Sequence, residues 1–293
     1  MPHPIVAEPF QFTVGPLQFT GFGLAVLAAF AISQIIVVRE LTRRGHLDHA
    51  AAAPDIVLAA LLGTMIGAKL YYVILMGGDW HAIFSRGGFV FWGGFIGSVA
   101  LCYATVRYKR LSFPRFADVA GIAIAAGYAV GRTGCWAVGD DYGRPWHGPL
   151  AVVFPNGAPP TTAATLTQMF GAKLPAGTPA DALIAVHPTQ LYEVTMGLLM
   201  FAVLWRFRGH RHAEGWLFGF YCVLAGVERF VVEFFRAKDD RFLGPFTTAQ
   251  AVAVAVVIVG VSLMQLRRVP RPGHPGIYAP EVAPDGVPEA LPA

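Results

Sequence analysis

Residues 17–38 read LQFTGFGLAVLAAFAISQIIVV, without a single charged side chain before Arg39. About 20 apolar residues in a helix span the hydrocarbon core of a bilayer, so this stretch is long enough to cross one. Working outward from it, hydropathy and breakers mark further runs at 54–76, 89–106, 116–138, 189–206, 215–235 and 247–266. The whole chain agrees. Of its 293 residues, 55% are hydrophobic and 14% charged, where a soluble domain carries about 25% charged residues. Disorder and an ordinary soluble enzyme are excluded as first readings. The expected fold class is an all-α polytopic membrane protein with seven transmembrane helices.

Basic residues between the runs set the orientation, because Lys and Arg are retained on the cytoplasmic side. Arg39, Arg43, Arg44, Arg107, Lys109, Arg110, Arg115, Arg206, Arg208, Arg211, Arg267, Arg268 and Arg271 all fall on one side of the alternating pattern. Arg86, Arg144, Lys173, Arg236, Lys238 and Arg241 fall on the other. The N-terminus is therefore expected outside and the C-terminus in the cytoplasm. MPHPIVAEPFQF, at the start, lacks the basic region and cleavage site of a signal peptide. The expected organisation is a transmembrane domain over 1–269, with a small extracytoplasmic cap at 139–186 between spans four and five. Residues 150–154, LAVVF, are strand-like within that cap. The proline-rich stretch 270–293 is expected to be a disordered cytoplasmic tail. No internal repeat is found, which weighs against a transporter built from inverted halves. Cys102, Cys135 and Cys222 suggest no disulfide framework.

Ionisable groups inside apolar helices are costly and usually functional. Lys69, Arg132, Glu193, Glu228, Arg229, Glu233 and Arg236 are such groups, and they cluster toward the outer ends of their spans. Positions 229, 233 and 236 share one helix face, so Arg229 and Glu233 can pair, as can Glu233 and Arg236. That ladder is either a glue between helices or part of a site. Lys69 either snorkels to the interface or faces a ligand. Arg132, between Gly131 and Gly134, is left in a small-residue setting. Guanidinium suits bidentate recognition of phosphate, so the inference is a site for an anionic headgroup entering from the bilayer.

With these residues in view, the chain resembles the bacterial prolipoprotein diacylglyceryl transferases. The segments that carry the likeness are GAKLYYV (67–73), GGFVFWGGFIG (87–97), GRTGCWAVGDDYGRP (131–145), AVVFP (151–155), HPTQLYE (187–193), ERFVVEFFR (228–236) and FTTAQ (246–250). They occur in the family's order, and Asp118 also matches a family acid. The resemblance implies transfer of the diacylglyceryl group of phosphatidylglycerol to the lipobox cysteine thiol of a prolipoprotein. A thioether forms and glycerol phosphate leaves, at the periplasmic leaflet of the bacterial inner membrane. No cofactor and no nucleic-acid partner are implied. Arg132 would hold the lipid phosphate, and Arg229 would stabilise charge on the departing phosphate. Lys69, Asp118, Asp140, Arg144, His187, Gln190, Tyr192, Glu193, Glu233 and Arg236 complete the expected substrate-binding set.

The sequence departs from the family pattern at several positions. Trp92 stands where the family often has His and sometimes Tyr, and Trp cannot accept a proton. Cys135 and Val138 replace Asn, Asp140 replaces Glu, and Phe22 and Ala225 replace Tyr. Two accounts fit: a divergent active transferase, or a paralogue that keeps the lipid site with altered or lost acceptor chemistry. A lipid transporter or anionic-lipid binder without chemistry is the competing class. GDDYGRP (139–145) is either a turn or a polar rim with Asp140 and Arg144 at the mouth. His187 is alternatively a cap at the start of span five, and Cys135 a small apolar packing residue. Trp92, Trp136 and Trp146 are expected in an interfacial aromatic belt. No metal is expected, since no third ligand accompanies Asp140 and Asp141.

Overall fold

Seven long helices form where the apolar runs lie: α1 (Gly21–Arg43), α2 (Leu47–Leu75), α3 (Phe91–Tyr108), α4 (Phe113–Val138), α6 (Thr189–Phe207), α7 (Trp216–Val232) and α8 (Thr248–Leu266). They are seen in a computed structural model that describes residues 3–85, 88–237, 241–243 and 246–279. Arg86, Lys238 and the tail from residue 280 lie outside the described residues, as does the side chain of Arg241. By length and composition α1, α2, α4 and α8 are long and apolar enough to cross a membrane. The chain is mostly helical, as a polytopic membrane protein should be. Three short strand pairs qualify the all-α expectation: β1 (Ile5–Val6) with β4 (Val152–Val153), β2 (Gln11–Val14) with β3 (Leu17–Thr20), and β5 (Arg241–Leu243) with β6 (Phe246–Thr247).

Helix ends follow local chemistry. The first span, expected from residue 17, starts at 21, because Leu17 and Phe19 pair with Val14 and Phe12 across a hairpin. Thr20 then caps α1 through Gly23 N at 3.2 Å. The second span begins at 47 rather than 54. Pro54 removes one donor from the helix interior, but His49, Ala50, Ala53 and Ile56 bury around it and carry the helix through. Ser112 caps α4, and Gly139, at φ +67°, ends it in the left-handed conformation that glycine adopts freely. Thr247 and Gln250 form a reciprocal capping box at the start of α8.

Helix α4 sits at the centre, packed on α1, α6 and α7; α8 lies against α7, and α3 packs almost wholly on α2. Ile36 and Leu41 of α1, Ile56 of α2, Val119 and Ile122 of α4, Leu204 of α6 and Leu217 of α7 form the core. Away from it, Leu62, Ile66, Ile96, Ile258 and Val259 are exposed, an apolar outer surface of the kind that lipid covers. At one end of the bundle, residues 139–186 fold into a cap. There β4 lies between β1 and Val186, and α5 (Ala163–Phe170) packs beside Tyr142 and Phe154. At the other end, residues 271–279 return to the helices. Ile277 is buried, its carbonyl lies 2.7 Å from His46 Nε2, and Gly276 bridges to Ala213. This part of the expected tail is therefore docked.

Candidate functional site

The last two turns of α4, the first two turns of α6 and the end of α7 converge beneath the cap. Arg132 of α4 donates from Nη1 to Asp141 Oδ2 at 2.8 Å and from Nη2 to Glu193 Oε1 of α6. Arg236 donates to the other Asp141 oxygen at 2.8 Å and faces Glu193 at 3.9 Å. Arg236 Nε also lies 3.9 Å from Glu233, which pairs with Arg229 at 2.7 Å. Three guanidiniums and three carboxylates thus run as one chain of ion pairs from Arg132 to Arg229. Glu193 and Glu233 are almost fully buried, so the pairing is needed to hold their charge. Arg132 Nε and Arg229 Nη1 are buried N–H groups with no hydrogen-bond partner among the described residues. They are donors still available to an anion.

The loop that carries Asp141 is held by the start of α6. Gln190 Nε2 donates to Asp140 O at 2.6 Å and Thr189 Oγ1 to Asp141 O at 2.7 Å. These bonds, with the two arginines, secure Asp141 at φ +54°, a conformation that side-chain-bearing residues rarely adopt. Span six was expected to run to 235. Instead α7 ends at Val232, because the backbone turns there to pair with the cap. Gly143 bridges to Arg236, and Arg144 N donates to Phe235 O at 2.8 Å. Arg236 therefore enters the site from this turn and not from a helix face.

His187 stacks on Trp146 with ring centroids 4.3 Å apart, and its Nδ1 lies 3.1 Å from Tyr192 OH. Phe235 stands edge-on to both His187 and Tyr192. Burial, together with Arg144, lowers the pKa of His187. Trp146 is thus packed within the cap, and Trp136, on α4, stands edge-on to Phe154 of the cap. Trp92 touches Phe91 and Phe95 on α3. Arg144 is exposed, and its backbone bonds to Phe235 and His187.

Two expected site residues stand elsewhere. Lys69 donates to Ser85 O at 2.6 Å and lies over the Phe89 ring, against the segment between α2 and α3. Asp118 is fully buried and accepts from Gly215 N at 2.9 Å and Phe218 N at 2.8 Å. It caps the start of α7, fourteen residues from Arg132, or ~21 Å at the rise of an α-helix.

Three contributors were not in the expected set. Asp141, and not its neighbour Asp140, bridges the arginines. Tyr128 and Glu228 adjoin Glu193, with the Tyr128 hydroxyl 3.1 Å from Glu193 Oε1 and 3.0 Å from Glu228 Oε1. The spacing of Tyr128 one turn before Arg132 was the available signal. A third potential metal ligand also exists: Cys135 Sγ and oxygens of Asp140 and Asp141 lie within 4.8 Å of one another. Both Asp141 oxygens, however, already accept from guanidiniums.

The sequence pattern of the family described as prolipoprotein diacylglyceryl transferase matches residues 9–266. The chain is 27% identical over 270 residues to the phosphatidylglycerol–prolipoprotein diacylglyceryl transferase of Geobacter sulfurreducens, covering 88% of this chain and 95% of that one. It is 30% identical over 277 residues to the protein of the same name from Xanthomonas oryzae pv. oryzae, covering 89% and 91%. With the protein so named from Xanthomonas campestris pv. campestris the identity is 31% over 277 residues, with the same coverage.

Proposed function

The chain belongs to the prolipoprotein diacylglyceryl transferase family, and from that membership we propose that it moves the diacylglyceryl group of phosphatidylglycerol onto the lipobox cysteine thiol of a prolipoprotein. The observation that carries this reading is the ion-pair chain from Arg132 through Arg236 to Arg229, with buried N–H groups on Arg132 and Arg229 left for an anion. Arg132 binds the lipid phosphate. Arg229 steadies the charge that grows on glycerol phosphate as it leaves; such preorganised stabilisation is often the largest catalytic contribution. Arg236, Glu193 and Glu233 keep the two arginines apart and aimed. Gln190 holds the Asp140 loop, while His187, Tyr192 and Arg144 form the rim where headgroup or peptide enters. Lys69 meets anionic lipid on the α2–α3 side. Asp118 acts at a distance, by seating α7.

In this proposal all seven long helices span a bacterial inner membrane, with the N-terminus and the cap in the periplasm and the C-terminus in the cytoplasm. Thirteen basic residues on one side of the helix alternation against six on the other support it. The substrate supplies the nucleophile, so Cys102, Cys135 and Cys222 have no covalent part. Trp92 is itself no proton acceptor, so in this reading the thiol's proton goes to another group.

The test is transfer to a lipobox peptide in membranes containing phosphatidylglycerol. Arg132→Ala and Arg229→Ala are expected to abolish transfer while the protein still inserts. Arg132→Lys keeps the charge but cannot reach Asp141 and Glu193 together, and is expected to lose about a hundredfold or more in rate. Full activity in both alanine variants refutes the assignment.

A further inference from the structure

Tyr128 has one hydroxyl hydrogen and two carboxyl neighbours, Glu228 at 3.0 Å and Glu193 at 3.1 Å. It can donate to only one of them. The second contact is a hydrogen bond only if that acid carries a proton and donates to the phenolic oxygen. Glu193 also accepts from Arg132 and faces Arg236, which hold it as a carboxylate. Glu228 is buried and forms no ion pair among the described residues. The charge count points the same way. Arg132, Arg229 and Arg236 are already matched by Asp141, Glu193 and Glu233, so an ionised Glu228 would leave a buried negative charge without compensation.

Resting on the transferase reading, we propose that Glu228 holds a proton, and that Glu228, Tyr128 and Glu193 form a store that delivers it to the phosphate. When an anionic phosphate takes Arg132, Glu193 keeps only the more distant Arg236, at 3.9 Å, and faces a like charge. The proton of Tyr128 then moves to Glu193 as that of Glu228 moves to Tyr128, and the site stays balanced. In the transfer a carbon–sulfur bond forms and the glycerol carbon–oxygen bond to phosphate breaks. Glu193 gives its proton to the departing phosphate. The proton released by the thiol restores the store, so none is gained or lost overall. The groups that face Glu228 are Tyr128 and Arg132 on α4, Glu193 on α6, and Arg229 and Tyr221 on α7. Helix α8 contributes no titratable side chain. Glu228 acts through Tyr128 and is a positioning residue.

Glu228→Gln separates this role from a structural one, since an amide N–H still donates to Tyr128 but releases no proton. The full chain in phosphatidylglycerol membranes is expected to show the infrared carbonyl band of a neutral carboxyl, absent from Glu228→Gln. Because the store must be loaded, kcat of the wild type falls as pH rises. Glu228→Gln is expected to lose that limb, and about a hundredfold in kcat, the lower range for positioned acid–base groups, with KM little changed. Tyr128→Phe keeps the band and shows the same loss of rate, because the path is cut while the acid remains. A wild-type kcat and pH profile in Glu228→Gln, or absence of the band from the wild type, overturns the proposal. An inactive wild type overturns the transferase reading and the delivery to phosphate together, while the band still decides where the proton sits.

Discussion

Burial pushes the carboxyl of Asp140 up from 3.8 to about 6, helped by the neighbouring charge of Asp141. One residue on, burial also acts to raise Asp141, but Arg236 and Arg132 outweigh it and hold the group down to about 2. The consequences for stability have opposite signs. Asp140 binds its proton more tightly folded than unfolded, so its contribution is complete below pH 3.8 and is lost as pH rises through 6. Asp141 contributes above 3.8 and is lost only as pH falls toward 2. The melting temperature of Asp140→Asn is therefore expected to rise relative to wild type as pH goes from 4 to 7. A constant difference across that range would count against the assignment. Sequence reasoning reached the arginines because a charge within an apolar helix stands out. Asp140 stands in the expected set because it matches the family's Glu, and adjacent acids in a loop carry no helical phase to favour Asp141; the left-handed turn at 141 goes with the carboxylate that bridges the arginines. Asp118 stands in the expected set because it matches a family acid, although it lies toward the opposite end of α4 from Arg132. Depth along α4 was legible, but not that its partners are the backbone N–H groups of α7.

At the scale of elements, α2 and α3 approach closely enough that their backbones touch. A Cβ at Gly97 would stand 2.3 Å from Gly63 O, and one at Gly93 would stand 2.3 Å from Gly67 O. Glycine pairs four residues apart on both helices make this crossing possible. Since α3 has little other attachment, Gly97→Ala is expected to cost about 1–3 kcal/mol, read as a lower melting temperature in detergent. An unchanged melting temperature would show that the crossing has slack. The seven helices were legible as apolar runs because the hydrophobic content that lipid demands is independent of fine packing. The short β2–β3 hairpin was hidden, as its second strand shares the apolar character of α1 and merged with it. The opening turns of α2 were hidden by Pro54, since a proline reads as a boundary until the burial of its neighbours is known.

Across the whole molecule, the end away from the cap is held by buried charge and by the returning chain. Arg44 pairs with Glu40 at 2.9 Å, and Arg115 pairs with Glu214. Residues 275–279 then fasten to this layer, through Pro275 O to Glu214 N at 2.9 Å and Tyr278 OH to Arg43 at 3.1 Å. Ile277→Ala is expected to lower stability by about 2–4 kcal/mol, followed as loss of thermal stability, with no change if the docked segment is dispensable. Composition concealed this strap: prolines deny it a helical period, and its hold depends on residues far away in sequence. The pairing of Ile5 with Val152 and Val6 with Val153 places a different demand on the chain. Strand β1 is made first, yet its partner emerges only after four long helices have been synthesised and lodged. The opening residues must wait unpaired through that interval, so the cap closes late and the beginning of the chain is among the last parts to find its place.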